Sequence, residues 1–286
     1  MPGVTGRTHY SRLATERANP ASVDLDRLSA RRIARLMNEE DIRAVRAVGR
    51  VAGKIGVAVE LIVASLSRGG RLFFVGAGTS GRLGVLEAAE CPPTFGTPPR
   101  LVQAIMAGGR ASVFRSREGA EDDGAAAARE VRRRVRRGDV VVGVSASGMT
   151  PFVRAALREA RRRGATTALV ACHATPAAGA EARVVIDPRP GPEVLAGSTR
   201  LKAGTATKLV LNTLTTASMA RLGRVYGNRM VDVQPRSRKL RDRALRLVEE
   251  LSGVSRSRAA MDQRLEARLH ARHFRIVTRQ VLRCPA

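Results

Sequence analysis

The pattern of apolar positions divides the chain into a helical first quarter and a central part in which strands and helices alternate. Apolar residues between positions 25 and 37 recur near the 3.6-residue period of an α-helix, and a second, longer helix is predicted from position 41 to about 67. Gly69 and Gly70 end that helix, because the missing side chains let the backbone leave it. Residues 1–21 are predicted to form a polar arm ahead of both helices.

Short apolar runs beyond residue 70 have the pattern of buried strands that feed helices. Residues 72–75 run into a glycine-rich loop, and residues 140–144 run into a loop of small polar residues before a helical stretch at 152–163. Further segments follow the same pattern, with strands at 101–105, 167–171 and 183–186 and a helix at 201–222. Strands separated by helices predict an α/β fold with a central parallel sheet and helices on both faces.

The two strand-to-helix loops contain the residue types that bind an oxyanion. The first reads Gly76-Ala77-Gly78-Thr79-Ser80-Gly81 and the second reads Ser145-Ala146-Ser147-Gly148-Met149-Thr150. Glycine lets the backbone approach a ligand closely, hydroxyls donate hydrogen bonds, and the following helix offers unpaired N–H groups. Open α/β sheets bind ligands at the carboxyl ends of their strands, where both loops lie. The loops therefore predict a phosphate site; the alternative is that they only make turns and helix caps.

The first loop also matches the pattern GxGxxG, which alone is a weak signal for a dinucleotide. A dinucleotide site needs an acidic residue after the second strand to hold the ribose, but residues 101–105 are followed by Met-Ala-Gly-Gly-Arg. Neither loop has the lysine of a triphosphate-binding loop, and we expect no cofactor. Cys91, Cys172 and Cys284 have unrelated spacings and no clustered histidines nearby, which predicts neither a disulfide framework nor a metal site.

Two carboxylates follow the first loop. Glu87 and Glu90 are three residues apart, so they share one face of the predicted short helix. Glu90 enters the rigid Cys91-Pro92-Pro93 segment and is expected just beyond the end of that helix. For Glu87, a charge on the helix surface is at least as good an interpretation as a functional role.

A second acidic group, Glu118 with Glu121, Asp122 and Asp123, precedes a helix predicted to run to position 137. Negative side chains are favoured at a helix N-terminus, and capping is the preferred interpretation for Asp123. Two carboxylates near one phosphorylated substrate would serve as base and acid. That pairing is what proton abstraction and loss of a poor leaving group require.

The charge is unusual, because 51 basic residues face 25 acidic ones, which gives a net charge of +26, and 47 of the basic residues are Arg. Such a field attracts polyanions. The arginines are spread through nearly every helix, however, and a chain with no Trp and two Tyr lacks the aromatic residues that stack on bases. We interpret the excess as a solvated surface and do not expect nucleic acid to be a partner.

The first residues carry several charges and no apolar stretch, which predicts neither a secretory signal nor an anchor. The longest apolar passage, residues 55–66, falls short of the roughly 20 residues of a membrane-spanning helix. We therefore expect a cytoplasmic protein without membrane contact.

Six stretches of the sequence match one known family in order, between about residues 14 and 260. They are Thr15-Glu16 with Asn19, Gly76-Ala-Gly-Thr-Ser-Gly-Arg-Leu-Gly84, Glu90-Cys-Pro-Pro-Thr-Phe-Gly96, Glu118-Gly-Ala-Glu-Asp122, Ser145-Ala-Ser-Gly148 with Thr150-Pro151, and Lys202-Ala-Gly-Thr-Ala206 with Lys208. In these stretches the chain resembles the N-acetylmuramic acid 6-phosphate etherases. The string Glu-Cys-Pro-Pro-Thr is more specific than any glycine-rich loop.

The resemblance implies a sugar isomerase (SIS) fold, a three-layer sandwich around a parallel sheet, with a helical N-terminal arm and a helical C-terminal region. It also implies a homodimer without metal or cofactor. The implied lyase reaction converts N-acetylmuramic acid 6-phosphate and water into N-acetylglucosamine 6-phosphate and D-lactate, within cell-wall sugar recycling. A base removes the C2 proton of the open-chain aldehyde, lactate leaves from C3, and water then adds.

The same resemblance assigns roles to individual residues. Glu90 is the implied proton donor to the departing lactate, and the pair Glu121 and Asp122 supplies the second acid/base group, with Glu121 favoured. The implied substrate-binding residues are Gly78, Thr79, Ser80, Gly81, Ser145, Ser147, Gly148, Thr150 and Lys202. For Lys202, a position on a helix surface is an equally good interpretation.

Three regions are expected: an N-terminal arm with helices (1–50), an SIS phosphosugar-binding domain (51–225) and a basic helical C-terminal region (226–286). Beyond about residue 264 the sequence does not resemble the family, so a divergent or truncated terminus is expected. One alternative function is a non-catalytic phosphosugar-binding regulator, although such proteins usually carry a second SIS domain. Another is a DNA-binding SIS regulator, which needs a helix-turn-helix domain where this chain has its arm.

Overall fold

The computed structural model of the protein describes residues 14–175, 179–230, 238–253, 255–258 and 260. These residues form two compact units: one contains those up to Ala89 and Pro99–Ser218, and the other contains Glu90–Pro98 and those from Met219 onward. The helices and strands, in chain order, are α1 (Ala30–Arg50), α2 (Ala52–Ser67), β1 (Leu72–Gly76), α3 (Gly78–Phe95), β2 (Val102–Met106), α4 (Ala111–Phe114), α5 (Gly124–Arg134), β3 (Val140–Val144), α6 (Pro151–Arg162), β4 (Thr166–Val170), β5 (Val184–Ile186), α7 (Lys202–Arg221), β6 (Val225–Tyr226), β7 (Arg229–Met230) and α8 (Arg238–Ser252).

Five parallel strands form the central sheet of the first unit, in the order β2-β1-β3-β4-β5. All five predicted strands are confirmed, with ends that differ by one residue at most. Every residue of β1 and of β3 is buried, which agrees with strands covered on both faces. In this order the chain turns back between the neighbours β1 and β3, and such a switch point is where doubly wound sheets bind ligands.

Helices cover both faces of the sheet, so the predicted α/β sandwich of three layers is confirmed. On one face, Phe73 and Val75 of β1 join a buried cluster with residues of α5 and α6, and α6 contacts β1, β3 and β4. On the other face α3 lies so close to β1 that a Cβ at Gly84 would be 2.8 Å from the Cβ of Phe74. Alternate residues of one strand therefore pack into two different layers.

The boundary between the first two long helices differs from the prediction. Helix α1 starts after Ser29, whose hydroxyl accepts a hydrogen bond from the Arg32 N–H at 3.3 Å, and it continues to Arg50. The predicted start of a new helix at position 41 is wrong. Glu40 is 1 % exposed and paired with Lys202, so the acidic stretch around it is an interior part of α1 and not a solvated break.

The end of α3 also differs from the prediction. The helix continues through Pro92 and Pro93, so Glu90 lies inside it and not beyond its end. Proline has a φ angle compatible with a helix but lacks the N–H that binds the carbonyl four residues earlier, so the last turn of α3 lacks the two hydrogen bonds that Pro92 and Pro93 cannot donate. Gly96, at φ +61°, then donates its N–H to the carbonyl of Pro92 at 3.0 Å and terminates the helix. Helix α5 likewise ends at Arg134, three residues earlier than predicted.

The second unit is small. Its short antiparallel hairpin pairs Val225 with Met230 and was not predicted, because each strand has only two residues. Arg224 donates a hydrogen bond from Nη1 to the carbonyl of Phe95 at 3.1 Å. Helix α8 confirms a helical, basic segment, whereas the unfamiliar tail beyond residue 264 lies outside the described residues. No helix in the described part of the chain is both long and apolar enough to span a membrane.

Candidate functional site

The two predicted phosphate loops begin side by side. Gly76 ends β1 and pairs in register with Val144, which ends β3, so both loops leave the sheet at the switch point. The second loop is also tied to the neighbouring strand, because Ser145 donates its N–H to the Val170 carbonyl at 3.0 Å. The sheet thus brings together the two segments that the sequence singled out.

The first loop is a tight turn that depends on its glycines. A Cβ at Gly76 would lie 2.7 Å from the Gly81 nitrogen, and one at Gly81 would lie 2.6 Å from the Gly76 carbonyl oxygen. Gly78 has a φ of +53°, which favours glycine. Thr79 and Ser80 follow within the first turn of α3, where backbone N–H groups lack intrahelical acceptors. Both side chains are partly exposed and adjoin that positive helix end.

The second loop is closed by its own hydroxyls. The Oγ of Ser145 lies 2.8 Å from the Oγ1 of Thr150, and the Gly148 N–H donates to the Ser145 carbonyl at 3.0 Å. Ser147 accepts a hydrogen bond on its Oγ from the Met149 N–H at 3.2 Å. Gly148 adopts a φ of +69°. The predicted binding residues of this loop therefore form one compact turn at the start of α6.

The acidic segment after β2 is held against this turn. The Phe152 N–H donates to the Glu121 carbonyl at 2.9 Å, which joins the segment to the first turn of α6. Glu118 and Glu121 line a cavity of about 230 Å³ together with Gly78 of the first loop. Asp122 is not among the described residues that line this cavity. Of the two candidate bases, Glu121 and not Asp122 therefore lines a cavity together with a residue of the first phosphate loop.

Asp123 caps helix α5. Its Oδ1 accepts a hydrogen bond from the Ala126 N–H at 2.8 Å, so the capping interpretation of the sequence is confirmed.

The carboxylates on α3 have different environments. Glu87 is 6 % exposed and accepts hydrogen bonds from the Thr215 hydroxyl at 2.7 Å and from the Asn212 amide, so the interpretation as a surface charge is wrong. Burial follows because its side of the helix packs on α7 in the first unit. Glu90, one turn further along, is exposed.

Lys202, at the start of α7, is buried in a polar network. Its Nζ donates to Glu40 Oε2 at 2.5 Å and to the Pro192 carbonyl at 3.1 Å, and Asn19 Nδ2 donates to the same Glu40 oxygen at 2.9 Å. The side chain is 3 % exposed, so it does not lie on a helix surface. Burial alone would raise the pKa of Glu40, but the hydrogen bonds from Lys202 and Asn19 outweigh it and keep that pKa below 4.5.

Glu193 is another buried carboxylate, and it was not predicted from the sequence. It caps α7, since its two oxygens accept the N–H groups of Lys202 at 2.8 Å and Ala203 at 2.9 Å. Burial raises its pKa, and these backbone hydrogen bonds only partly oppose that effect. The available signal was an acidic residue between Pro192 and Val194 ahead of a predicted helix.

In the described part of the chain, no cluster of three or more His, Cys, Asp or Glu side chains has an arrangement that would hold a metal ion.

Comparisons with known proteins agree with this architecture. Residues 54–161 match the family model of the glucokinase regulatory protein N-terminal SIS domain, and residues 121–217 match that of the SIS domain. An N-acetylmuramic acid 6-phosphate etherase from Nostoc sp. (strain PCC 7120) is 54 % identical over 86 % of this chain and 81 % of its own length. One from Symbiobacterium thermophilum is 52 % identical over 87 % of this chain and 83 % of its own length. The chain belongs to the N-acetylmuramic acid 6-phosphate etherase family.

Solved structures with low sequence identity share the fold of this family member. The phosphoheptose isomerase from Neisseria gonorrhoeae has a TM-score of 0.52 and 20 % identity, covering 67 % of this chain and all of that one. The Vibrio vulnificus NanR protein complexed with ManNAc-6P has a TM-score of 0.50 and 15 % identity, covering 80 % of this chain and 71 % of that one. The predicted SIS fold is thereby confirmed.

Proposed function

We propose that this protein is an N-acetylmuramic acid 6-phosphate etherase, a lyase that releases D-lactate and leaves N-acetylglucosamine 6-phosphate. Relatives with that name are more than half identical over most of the chain. The observation on the site that carries the proposal is the position of Glu121, which lines one cavity with Gly78 and is joined to the turn that starts α6. The two hydroxyl-rich loops suit the phosphate of a substrate, and the carboxylate beside them suits the removal of a proton from one of its carbon atoms.

The phosphate binds at the two loops. Thr79, Ser80, Ser145, Ser147 and Thr150 supply hydroxyls, and the glycines expose backbone N–H groups. The positive N-terminal ends of α3 and α6 add to the attraction for a dianion. Binding the phosphate fixes the sugar carbons relative to the carboxylate, and this lowers the entropic part of the barrier.

The reaction then proceeds by elimination and hydration. The Glu121 carboxylate removes the C2 proton of the open-chain aldehyde, and the electron pair forms a C2–C3 double bond as the C3–oxygen bond breaks. Glu90 donates its proton to the departing lactate oxygen. Water adds at C3 with loss of a proton to Glu90, and Glu121 returns a proton to C2. Both groups end in their initial protonation states, so the cycle is balanced.

Lactate release from N-acetylmuramic acid 6-phosphate tests the activity. We expect release by the wild-type protein and a loss of about 100-fold or more in Glu121→Gln and in Glu90→Gln, because each removes a group that transfers a proton. Asp123→Asn is the matched control: it makes the same carboxylate-to-amide change nearby, and Asn still caps a helix. Stabilisation by sugar phosphates without any lactate release would instead support the non-catalytic regulator.

The isotope content of the product tests the mechanism. In deuterated water, the proton taken up by Glu121 exchanges with solvent while the unsaturated aldehyde is bound, so elimination and hydration place deuterium at C2 of the N-acetylglucosamine 6-phosphate. A direct displacement leaves the original hydrogen at C2, and that result would contradict the proposed role of Glu121.

We further propose that the protein is a cytoplasmic homodimer. Apolar side chains on α1 and α2 support this, since Val45 is 51 % and Val57 is 50 % exposed and a second copy would cover such groups. Sedimentation of the purified protein tests the dimer, and a monomer at micromolar concentration would contradict it.

A further inference from the structure

Eleven of the 47 arginines lie at the sheet edge opposite the phosphate loops, where the strands begin. Helices α2, α5 and α6 all end at this edge, and four connecting segments (66–71, 132–139, 161–165 and 180–183) lead into β1, β3, β4 and β5. These segments contain eleven arginines and two carboxylates. The arginines are Arg68, Arg71, Arg132, Arg133, Arg134, Arg136, Arg137, Arg161, Arg162, Arg163 and Arg183.

Both carboxylates are already engaged. Asp139 is fully buried and binds Arg71, whose Nη2 lies 2.6 Å from Oδ2, and it also accepts the Arg136 N–H at 2.8 Å. Glu181 binds Arg158 at 3.0 Å and Arg154 at 3.5 Å. Neither is available to neutralise the remaining arginines, of which four pair instead with Glu130 of α5 or Glu159 of α6: Arg132, Arg133, Arg134 and Arg162.

A cavity of about 420 Å³ opens within this edge. Four arginines line it, from three different connecting segments, and no carboxylate is among its described lining residues. They are Arg68, Arg136, Arg137 and Arg183. All four are exposed, so their guanidinium groups are accessible to a ligand.

The floor of the cavity is closely packed. A Cβ at Gly70 would lie 2.4 Å from the Gly138 carbonyl oxygen, which also accepts the Ser65 hydroxyl at 2.5 Å. Arg136 donates from Nη2 to the Gly69 carbonyl at 3.3 Å, and the stem of Arg137 lies against Gly164, whose Cβ position is 3.2 Å from the Arg137 Cγ. Two of the four arginines are therefore held in place by the fold.

Neutralising helix dipoles does not account for this many cations. Each helix C-terminus is equivalent to about half a negative charge, so three helix ends offset about one and a half of the positive charges. Six of the eleven arginines have no ion pair in the described part of the chain. That still exceeds what the helix ends offset, and guanidinium groups bind phosphate oxygens in pairs of parallel hydrogen bonds. No aromatic residue is among the described residues that line the cavity, so stacking on a base is not part of the recognition.

We propose that this cavity binds a chain of linked phosphates, recognised through its charge and its oxygens. The inference is independent of the etherase activity, since the site lies at the other end of the strands from the phosphate loops. Inorganic polyphosphate and the phosphate tail of a nucleotide share this chemistry.

Calorimetric titration with tripolyphosphate tests the proposal. We expect saturable binding to the wild-type protein, much tighter than that of orthophosphate, and a loss of about tenfold or more in Arg137→Gln/Arg183→Gln. The control Arg31→Gln/Arg35→Gln removes the same charge from exposed positions of α1 and is expected to bind like the wild type. Thermal melting and lactate release verify that both variants fold.

The outcomes are distinct. Absence of binding to the wild type, equal weakening in both variants, or no weakening in either one would overturn the proposal. If the double variant does not fold, the exposed single variants Arg68→Gln and Arg183→Gln replace it, with the same expectation of weaker binding. ATP and duplex DNA are titrated as further ligands. Competition between ATP and tripolyphosphate supports the site, whereas binding of DNA alone contradicts it in favour of a nucleic-acid surface.

Discussion

The Nζ of Lys202 lies 2.5 Å from the Oε2 of Glu40, and both side chains are almost fully buried. The pair joins α1 to the start of α7, and Asn19 connects the N-terminal segment to the same carboxylate. Removing one partner leaves an unpaired buried charge, which is strongly destabilising, whereas removing both leaves none.

We therefore expect Lys202→Met to lower the free energy of unfolding by about 3–5 kcal/mol. The double variant Glu40→Gln/Lys202→Met is expected to recover part of that loss. Denaturant unfolding measures both values. The matched control is Arg133→Gln, which breaks an exposed pair with Glu130 and is expected to cost less than about 1 kcal/mol. A double variant less stable than Lys202→Met would show that the pair itself is not the source of the effect.

Glu40 and Glu193 are expected to give opposite dependences of stability on pH. The pKa of Glu40 is lowered, so its contribution is present above pH 4.5, the ordinary value, and is lost as pH falls through the lowered pKa. The pKa of Glu193 is raised, so its contribution is present below 4.5 and is lost as pH rises through the raised pKa.

Unfolding between about pH 3 and pH 7 tests these signs. The stability difference between wild type and Glu40→Gln is expected to grow with pH, and the difference between wild type and Glu193→Gln is expected to shrink. Parallel changes in the two variants would contradict the assigned directions.

Gly81→Ala is expected to reduce both stability and lactate release. The added Cβ would meet the Gly76 carbonyl oxygen at 2.6 Å and the Met106 Sδ at 2.3 Å, and overpacking of this kind costs about 1–3 kcal/mol. Gly53→Ala, within α2 and with nothing within 4 Å of its Cβ position, is expected to stabilise by about 0.5–1 kcal/mol. Thermal unfolding and the lactate assay distinguish the two, and an unchanged Gly81→Ala would mean that the loop accommodates a methyl group.

Asp123→Ala is expected to lower stability by about 1 kcal/mol without changing kcat, since it removes the cap of α5 and no proposed catalytic group. Asp123→Asn retains the cap and is expected to retain the stability. A large loss of kcat in both variants would place Asp123 in the reaction and would contradict the division between Asp123 and Glu121.

The sequence predicted the sheet and its loops well because both depend on local patterns. Unbroken apolar runs that stop at glycine or small polar residues identified β1 and β3, and family motifs supplied the candidate residues. Glu40, Glu87 and Glu193 were missed or misread because their burial is decided by residues distant in sequence. Glu40, for example, meets Lys202, 162 positions away. The boundary between α1 and α2 at Val51 was predicted at position 41 for the same reason.

The hydrogen bond from Phe152 to Glu121 uses only main-chain atoms, so no exchange of the side chain at position 121 removes it. Thirty residues separate the two positions in the sequence, yet the contact between them does not depend on the identity or the contacts of the side chain at position 121. The backbone at position 121 is therefore held in place independently of the side chain that acts in the reaction. Other acidic, basic or nucleophilic side chains introduced at position 121 would be attached at the same backbone position beside the phosphate loops. Position 121 is therefore the first to vary in redirecting the enzyme toward other phosphosugars.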